Sequence, residues 1–135
     1  MPQSVAVQVK RYDHITIIVS DIEATRHFYV DLLGMEQVHR PAFDIPGIWL
    51  QIGDIQIHVT QEGDRSGLAG WGDRQVGKFA FGHHFAFEVD DCVAAIDILR
   101  SHGVEAASPL QTRPDGIQQV YFFDPDNHVV ELFSR

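Results

Sequence analysis

The chain carries one pattern twice, and the repeat limits its folds more than any other feature. His58 follows His14 by 44 residues and Glu131 follows His84 by 47, and all four are metal-ligand types. A recurrence at this period is the signature of two copies of one supersecondary unit. A duplicated fold around one shared metal site is therefore the leading expectation.

Each half can be read segment by segment. His14-Ile-Thr-Ile-Ile-Val19 is a strand by its β-branched content, and Ser20-Asp-Ile-Glu23 reads as a capping box opening a helix. That helix places Ile22, Phe28, Tyr29 and Leu32 on one stripe and stops at Gly34. The second half repeats this with the strand His84-Phe-Ala-Phe-Glu-Val89. Asp90 or Asp91 then caps a helix with Val93, Ile96 and Leu99 inward, and Gly103 ends it. Three short strands follow each helix: near Met35 to Arg40, Ile48 to Ile52 and Ile55 to Thr60, then Val104 to Ala107, Ile117 to Phe123 and His128 to Phe133. Gly53-Asp54 and Asp124-Pro-Asp-Asn127 supply the turns of the last hairpins.

Both halves thus read βαβββ, an α+β class, in one domain over 1–135: module one about 12–61, a linker about 62–82 and module two about 83–135. The linker holds six glycines, at 63, 67, 70, 72, 77 and 82. Its Trp71, Phe79 and Phe81 either pack down on the domain or form a flap over a site.

Composition excludes several partners. With 19 acidic against 10 basic side chains the formal charge is −9, which repels nucleic-acid backbones, and no Lys/Arg cluster offsets it. No apolar run approaches the roughly 18 residues of a membrane span, and the start lacks the apolar region of a signal peptide. The single Cys92 can form no internal bridge. The expectation is a soluble cytoplasmic protein.

Strand periodicity bears on the metal idea, because alternate side chains share a face. His14 and Thr16 oppose Ile15 and Ile17; Gln56, His58 and Thr60 oppose Ile57 and Val59; His84, Ala86 and Glu88 oppose Phe85 and Phe87; and Glu131 shares its face with Val129 and Phe133. With the apolar faces on the helices, the four ligand candidates lie on the concave faces of two curled sheets. The remaining histidines, His27, His39, His83, His102 and His128, lack this support and read as structural or solvated.

From Tyr12 to Phe133 the chain resembles the vicinal oxygen chelate superfamily of glyoxalases, extradiol dioxygenases, fosfomycin-resistance transferases and bleomycin-binding proteins. The likeness is carried by Asp13-His-Ile-Thr16, Phe28-Tyr-Val-Asp-Leu-Leu-Gly34, Gly82-His-His-Phe-Ala-Phe87 and Asp124-Pro-Asp-Asn-His-Val-Val-Glu-Leu132, with Asn127 where the family has Gly. The stretch Phe43-Asp-Ile-Pro-Gly-Ile-Trp-Leu50 followed by Ile57-His58 is similar to small glyoxalase-like members.

This resemblance implies two βαβββ modules forming a cup-shaped mixed sheet around a divalent metal, held by His14, His58, His84 and Glu131. A donor set this rich in imidazole suits Zn, Ni, Fe(II) or Co. It also implies a homodimer and a small substrate with vicinal oxygens, which the metal chelates in a lyase or isomerase reaction. Glu131 is the first candidate base and Glu88 the second, while Thr16, Trp49, Gln51, Tyr121 and Phe123 line the pocket. Ile18 and Glu62 stand where bacterial lactoylglutathione lyases carry a basic residue and an Asn. Two other family roles stay open: an Fe(II) dioxygenase using His14, His84 and Glu131, and a metal-free binding protein of the bleomycin-resistance type.

Overall fold

The computed structural model describes residues 6–71 and 82–135. Module one runs β1 (His14–Val19), α1 (Ile22–Arg26), a π-helical turn (His27–Leu32), β2 (Glu36–Val38), β3 (Gly47–Ile52) and β4 (Ile55–Gln61). Module two runs β5 (Phe85–Glu88), α2 (Cys92–Ser101), β6 (Gln111–Thr112), β7 (Gln118–Phe123) and β8 (Val129–Ser134). The fold is α+β: two four-stranded mixed sheets, ordered β1-β4-β3-β2 and β5-β8-β7-β6. In each, the first strand pairs in parallel with the last, and the others follow antiparallel.

The duplication reaches the level of register. Thr16 lies opposite His58 across β1 and β4, and Ala86 lies opposite Glu131 across β5 and β8. On the other flank Trp49 faces His58 and Tyr121 faces Glu131. Each second ligand candidate thus sits in the same slot of its sheet, beside an aromatic side chain from the neighbouring strand.

The alternation expected from sequence holds in the first sheet, whereas β7 and β8 are buried on both faces. Ile17, Val19, Ile57, Val59, Ile48 and Leu50 are buried on one face of the first sheet, and Val120, Phe122, Val130 and Leu132 on one face of the second. All join a continuous core with Phe28, Tyr29 and Leu99 from the helical segments.

Four local features depart from the sequence reading. The N-cap of α1 is Asp21, whose carboxylate accepts from the backbone N–H of Glu23 and Ala24; Ser20 instead donates its hydroxyl to Asp126 at 2.6 Å. A long-range acceptor has outcompeted the local capping box. The helix then widens into a π turn, with Leu33 N–H bonded to Phe28 C=O at 3.1 Å, and adjacent Phe28 and Tyr29 are both buried there. Gly34, with φ of 79°, ends it as expected.

The third departure is the first short strand of module two, which forms at Gln111–Thr112 rather than at Val104 to Ala107. The earlier stretch makes one backbone bond to β7, from Ala107 N–H to Tyr121 C=O at 2.7 Å. Ser108 Oγ accepts the Tyr121 N–H, and Pro109 has no N–H to continue a ladder. In α2 the cap is Asp91, one of the two expected, but Val93, expected inward, is exposed, and Cys92 is buried with Leu99 instead.

The modules are locked by the turn after β7. Asp124 is buried and accepts from the Tyr29 hydroxyl (2.7 Å), the backbone N–H groups of Asp126 and His128 (2.9 and 2.8 Å) and His128 Nδ1 (2.7 Å). Asp126 takes the N–H and hydroxyl of Ser20, at the head of α1. Asn127 holds φ of 67°, the left-handed conformation its side chain tolerates. Trp71, the described aromatic of the linker, packs edge-on against Phe85 and His128. Phe79 and Phe81 lie outside the described residues. Among the described residues no helix is long and apolar enough to cross a membrane.

Candidate metal centre

The four ligand candidates come together as two pairs. In module one the His14 and His58 rings stack with centroids 3.8 Å apart and planes 15° off parallel. In module two His84 Nε2 lies 3.2 Å from Glu131 Oε1. Among the described residues no group of three or more His, Cys, Asp or Glu side chains gathers at one point. Within the described residues the four candidates form two pairs, each a candidate half-site.

Each imidazole is held at one nitrogen. His14 Nδ1 lies 2.8 Å from Asp13 Oδ2, and His84 Nδ1 lies 3.0 Å from the Gly82 carbonyl. His58 Nε2 lies 2.8 Å from Gln56 Oε1, while the amide nitrogen of Gln56 donates to Gln51 Oε1 at 3.0 Å. Because that amide nitrogen is committed to Gln51, its oxygen is left to accept from His58. Neutral imidazole has one donor and one acceptor nitrogen. In neutral rings these contacts spend the donors and leave the lone pairs on His14 Nε2, His58 Nδ1 and His84 Nε2, the last of which faces Glu131. Metal-ligating histidines are oriented in just this way, by a neighbour that takes the other N–H.

The donor set fits a divalent ion on this ground. His84 Nε2 faces a carboxylate oxygen of Glu131, a juxtaposition that a cation or a proton held between the two stabilises.

The surroundings reinforce each half-site. Burial, then the neighbouring His14 and Arg40, push the His58 pKa down, against the pull of Asp13, and favour the neutral ring a metal requires. Trp49 lies flat on the other side of His58. In module two Glu131 is 6 % exposed, and the Tyr121 hydroxyl hydrogen-bonds to it. Burial and then that carboxylate raise the Tyr121 pKa to about 12, so the phenol keeps its proton. The Tyr121 ring also meets His84 edge-on, at 5.5 Å.

The remaining sequence candidates are spread over both sheets. Thr16, Trp49 and Gln51 share the His58 face, and Phe123 packs with Tyr121 and Val129 on the Glu131 face. Glu88 lies at the exposed end of β5, with Arg135 Nε 3.3 Å away. Of the other histidines, His27 pairs with Asp31 on the surface, His102 bonds the Ile98 carbonyl, and His128 is buried against Asp124.

Sequence reasoning passed over the supports Asp13 and Gln56. Gln56 had a signal, being two residues before His58 and so on its face. Arg40 was missed as well: it leads into a stretch without regular structure, where periodicity carries no information.

The chain belongs to the glyoxalase/bleomycin resistance protein/dioxygenase superfamily, whose family model matches residues 11–132. The uncharacterised protein YwkD of Bacillus subtilis is 30% identical over 129 residues, covering 94% of this chain and 98% of its own. The fosfomycin resistance protein FosX of Listeria innocua is 26% identical over 133 residues, covering 90% and 86%. Among solved structures, a mutant of FosX from Listeria monocytogenes, complexed with Mn(II) and 1S,2S-dihydroxypropylphosphonic acid, shares the fold at a TM-score of 0.74. It has 22% identity over 94% of this chain and 93% of its own.

Proposed function

We propose that this protein is a divalent-metal-dependent lyase or isomerase of the glyoxalase-like kind, acting on a small molecule with oxygens on neighbouring atoms, and that it works as a homodimer. The matched half-sites carry this reading: a stacked His14–His58 pair and a His84–Glu131 pair in equivalent registers, with one nitrogen of each imidazole held by a neighbouring oxygen. Neither pair gains a third ligand within the described residues of one chain, which supports completion of a four-ligand centre by a second copy. The His14–His58 pair of one protomer would meet the His84–Glu131 pair of a second.

Three imidazoles and one carboxylate suit Zn, Ni, Co or Fe(II), and the Mn(II) of the FosX complex belongs to the same divalent class. When bound, such an ion supplies Lewis acidity that polarises a coordinated oxygen. The chain's own residues then do the rest. Glu131 takes the carbon-bound proton, and the protonated Tyr121 hydroxyl orients its carboxylate. Thr16 offers a hydroxyl to the substrate, while Trp49 and Phe123 wall the pocket against water. Glu88, exposed and paired with Arg135, is the second candidate base.

The test is metal content and oligomeric state of protein purified without chelator or nickel affinity, with the His58→Ala, Glu131→Ala double variant as control. About one transition metal per chain in a dimer, lost in the variant, supports the reading. A metal-free monomer that gains no stability from added Zn, Ni, Co, Mn or Fe(II) overturns it and leaves a small-molecule binding protein.

A further inference from the structure

The chain is acidic, and its described arginines are almost all consumed by carboxylates. Arg11, Arg26, Arg65, Arg100, Arg113 and Arg135 each lie against an Asp or Glu. Arg40 is the exception among the described residues. Its Nε is buried without a hydrogen-bond partner, and its guanidinium stands 5.1 Å from the Phe43 ring centroid. A buried, unsatisfied donor on a permanently charged group is costly, and such groups in folded proteins ordinarily answer to something.

What Arg40 answers to follows from its position. It lines a cleft of about 270 Å³ with Thr16, Thr60, Trp49, Arg65 and His58. Arg65 is committed to Asp44 at 2.8 Å, so Arg40 is the uncompensated charge of the cleft. Thr16 and Thr60 lie on the His58 face of the sheet, where their hydroxyls can donate. A net charge of −9 works against capture of anions at long range, so an anionic group is held only where a local cation and donors converge. The volume suits a ligand of a few heavy atoms. A guanidinium also matches the planar or tetrahedral oxyanion that a small metabolite carries.

We propose that the Arg40 cleft is the anion subsite of the centre: its guanidinium, helped by Thr16 and Thr60, holds the carboxylate or phosphonate of a small substrate whose neighbouring oxygens lie beside His58. This subsite rests on the reading of His58 as part of a chelate centre, and the experiment separates the two.

Metal-loaded and chelator-treated protein are each titrated calorimetrically with methylphosphonate, with lactate and with neutral 1,2-propanediol, in wild type, Arg40→Gln and Arg40→Lys. Circular dichroism verifies that the variants fold. The expected result is binding of at least one of the two anions to wild type, weakened about tenfold or more in Arg40→Gln and partly retained in Arg40→Lys. Propanediol should be indifferent to both changes. Whichever of methylphosphonate and lactate binds more tightly identifies the oxyanion. If metal fails to bind while Arg40-dependent anion binding persists, the subsite stands and the chelate reading falls. If metal binds but the anions bind Arg40→Gln as they bind wild type, or bind neither, the subsite is overturned and the chelate reading survives. Should Arg40→Gln not fold, undiminished anion binding in Arg40→Lys and in Thr16→Val would likewise overturn it.

Discussion

The indole of Trp49 lies flat on the imidazole of His58, with ring centroids 3.9 Å apart and planes 2° off parallel. With His14 stacked on the opposite face, the His58 ring is clamped between two planes and cannot tip. Trp49→Ala removes one plane while leaving the ligand in place. Metal affinity should fall on the order of tenfold, as when an orienting neighbour is lost. Competition with a metallochromic dye measures it, and unchanged affinity would mean that the stack does not orient the ligand.

Gln56 fixes which nitrogen of His58 is free. Gln56→Leu keeps the bulk but removes the acceptor, so both tautomers become accessible. A loss of roughly ten- to hundredfold in metal affinity is expected, with little change in the urea midpoint of the metal-free protein. Gln56→Glu, which restores an acceptor oxygen, should recover most of the affinity.

Acid should destabilise the metal-free protein partly through His58. Its folded pKa lies below the ordinary 6.5, so the unfolded chain takes up the proton first as pH falls. The contribution of this ring is in place above pH 6.5 and is lost as pH falls through that value toward the lower folded pKa. Urea unfolding from about pH 7.5 to 5 should therefore show a shallower decline in His58→Gln than in wild type. Equal slopes would remove His58 from the account.

Tyr29→Phe deletes a hydroxyl that donates to the buried Asp124 carboxylate at 2.7 Å. A bond to a charged, buried acceptor is worth about 2 kcal/mol, and its loss leaves part of that carboxylate without a donor. Equilibrium denaturation should show a destabilisation of that order. Tyr12→Phe, at an exposed ring, should show none.

Gly47 can carry no side chain without cost. A Cβ there would lie 2.4 Å from the Val59 carbonyl and 2.9 Å from the Arg40 Nη2. The β3–β4 ladder must shift to admit it, so Gly47→Ala should destabilise by about 1–3 kcal/mol in denaturant titrations. Gly53→Ala meets open space and differs only by the strain of its φ of 54°.

Most of the fold was legible in the chain because two alternations, a helix stripe and a turn signal recur in both halves. The strand faces of His14, His58 and Glu131 followed from period two alone. Features decided by distant partners were not legible. Ser20 was diverted from its cap by Asp126, 106 residues away. The edge strand of module two slid to Gln111–Thr112 because Ser108 and Pro109 cannot sustain a ladder. Arg40 gave no periodic signal, and its meaning lies in the carboxylate it lacks. The repeat grouped His14 with His58 and His84 with Glu131, but spacing in sequence does not say whether the two pairs meet.

The asymmetry of the lock between the modules bears on how such a chain can evolve. The corresponding turn in module one is the short Gly53-Asp54 hairpin, which offers nothing like the Asp124 and Asp126 contacts to Tyr29 and Ser20. If the gene arose by doubling of a half-length ancestor, that step has been sealed. An excised second module would leave Asp124 without its phenolic donor, and an excised first module would expose Phe28 and Tyr29 of the π-helical turn. The two halves are not interchangeable parts, because each carries a different side of the lock.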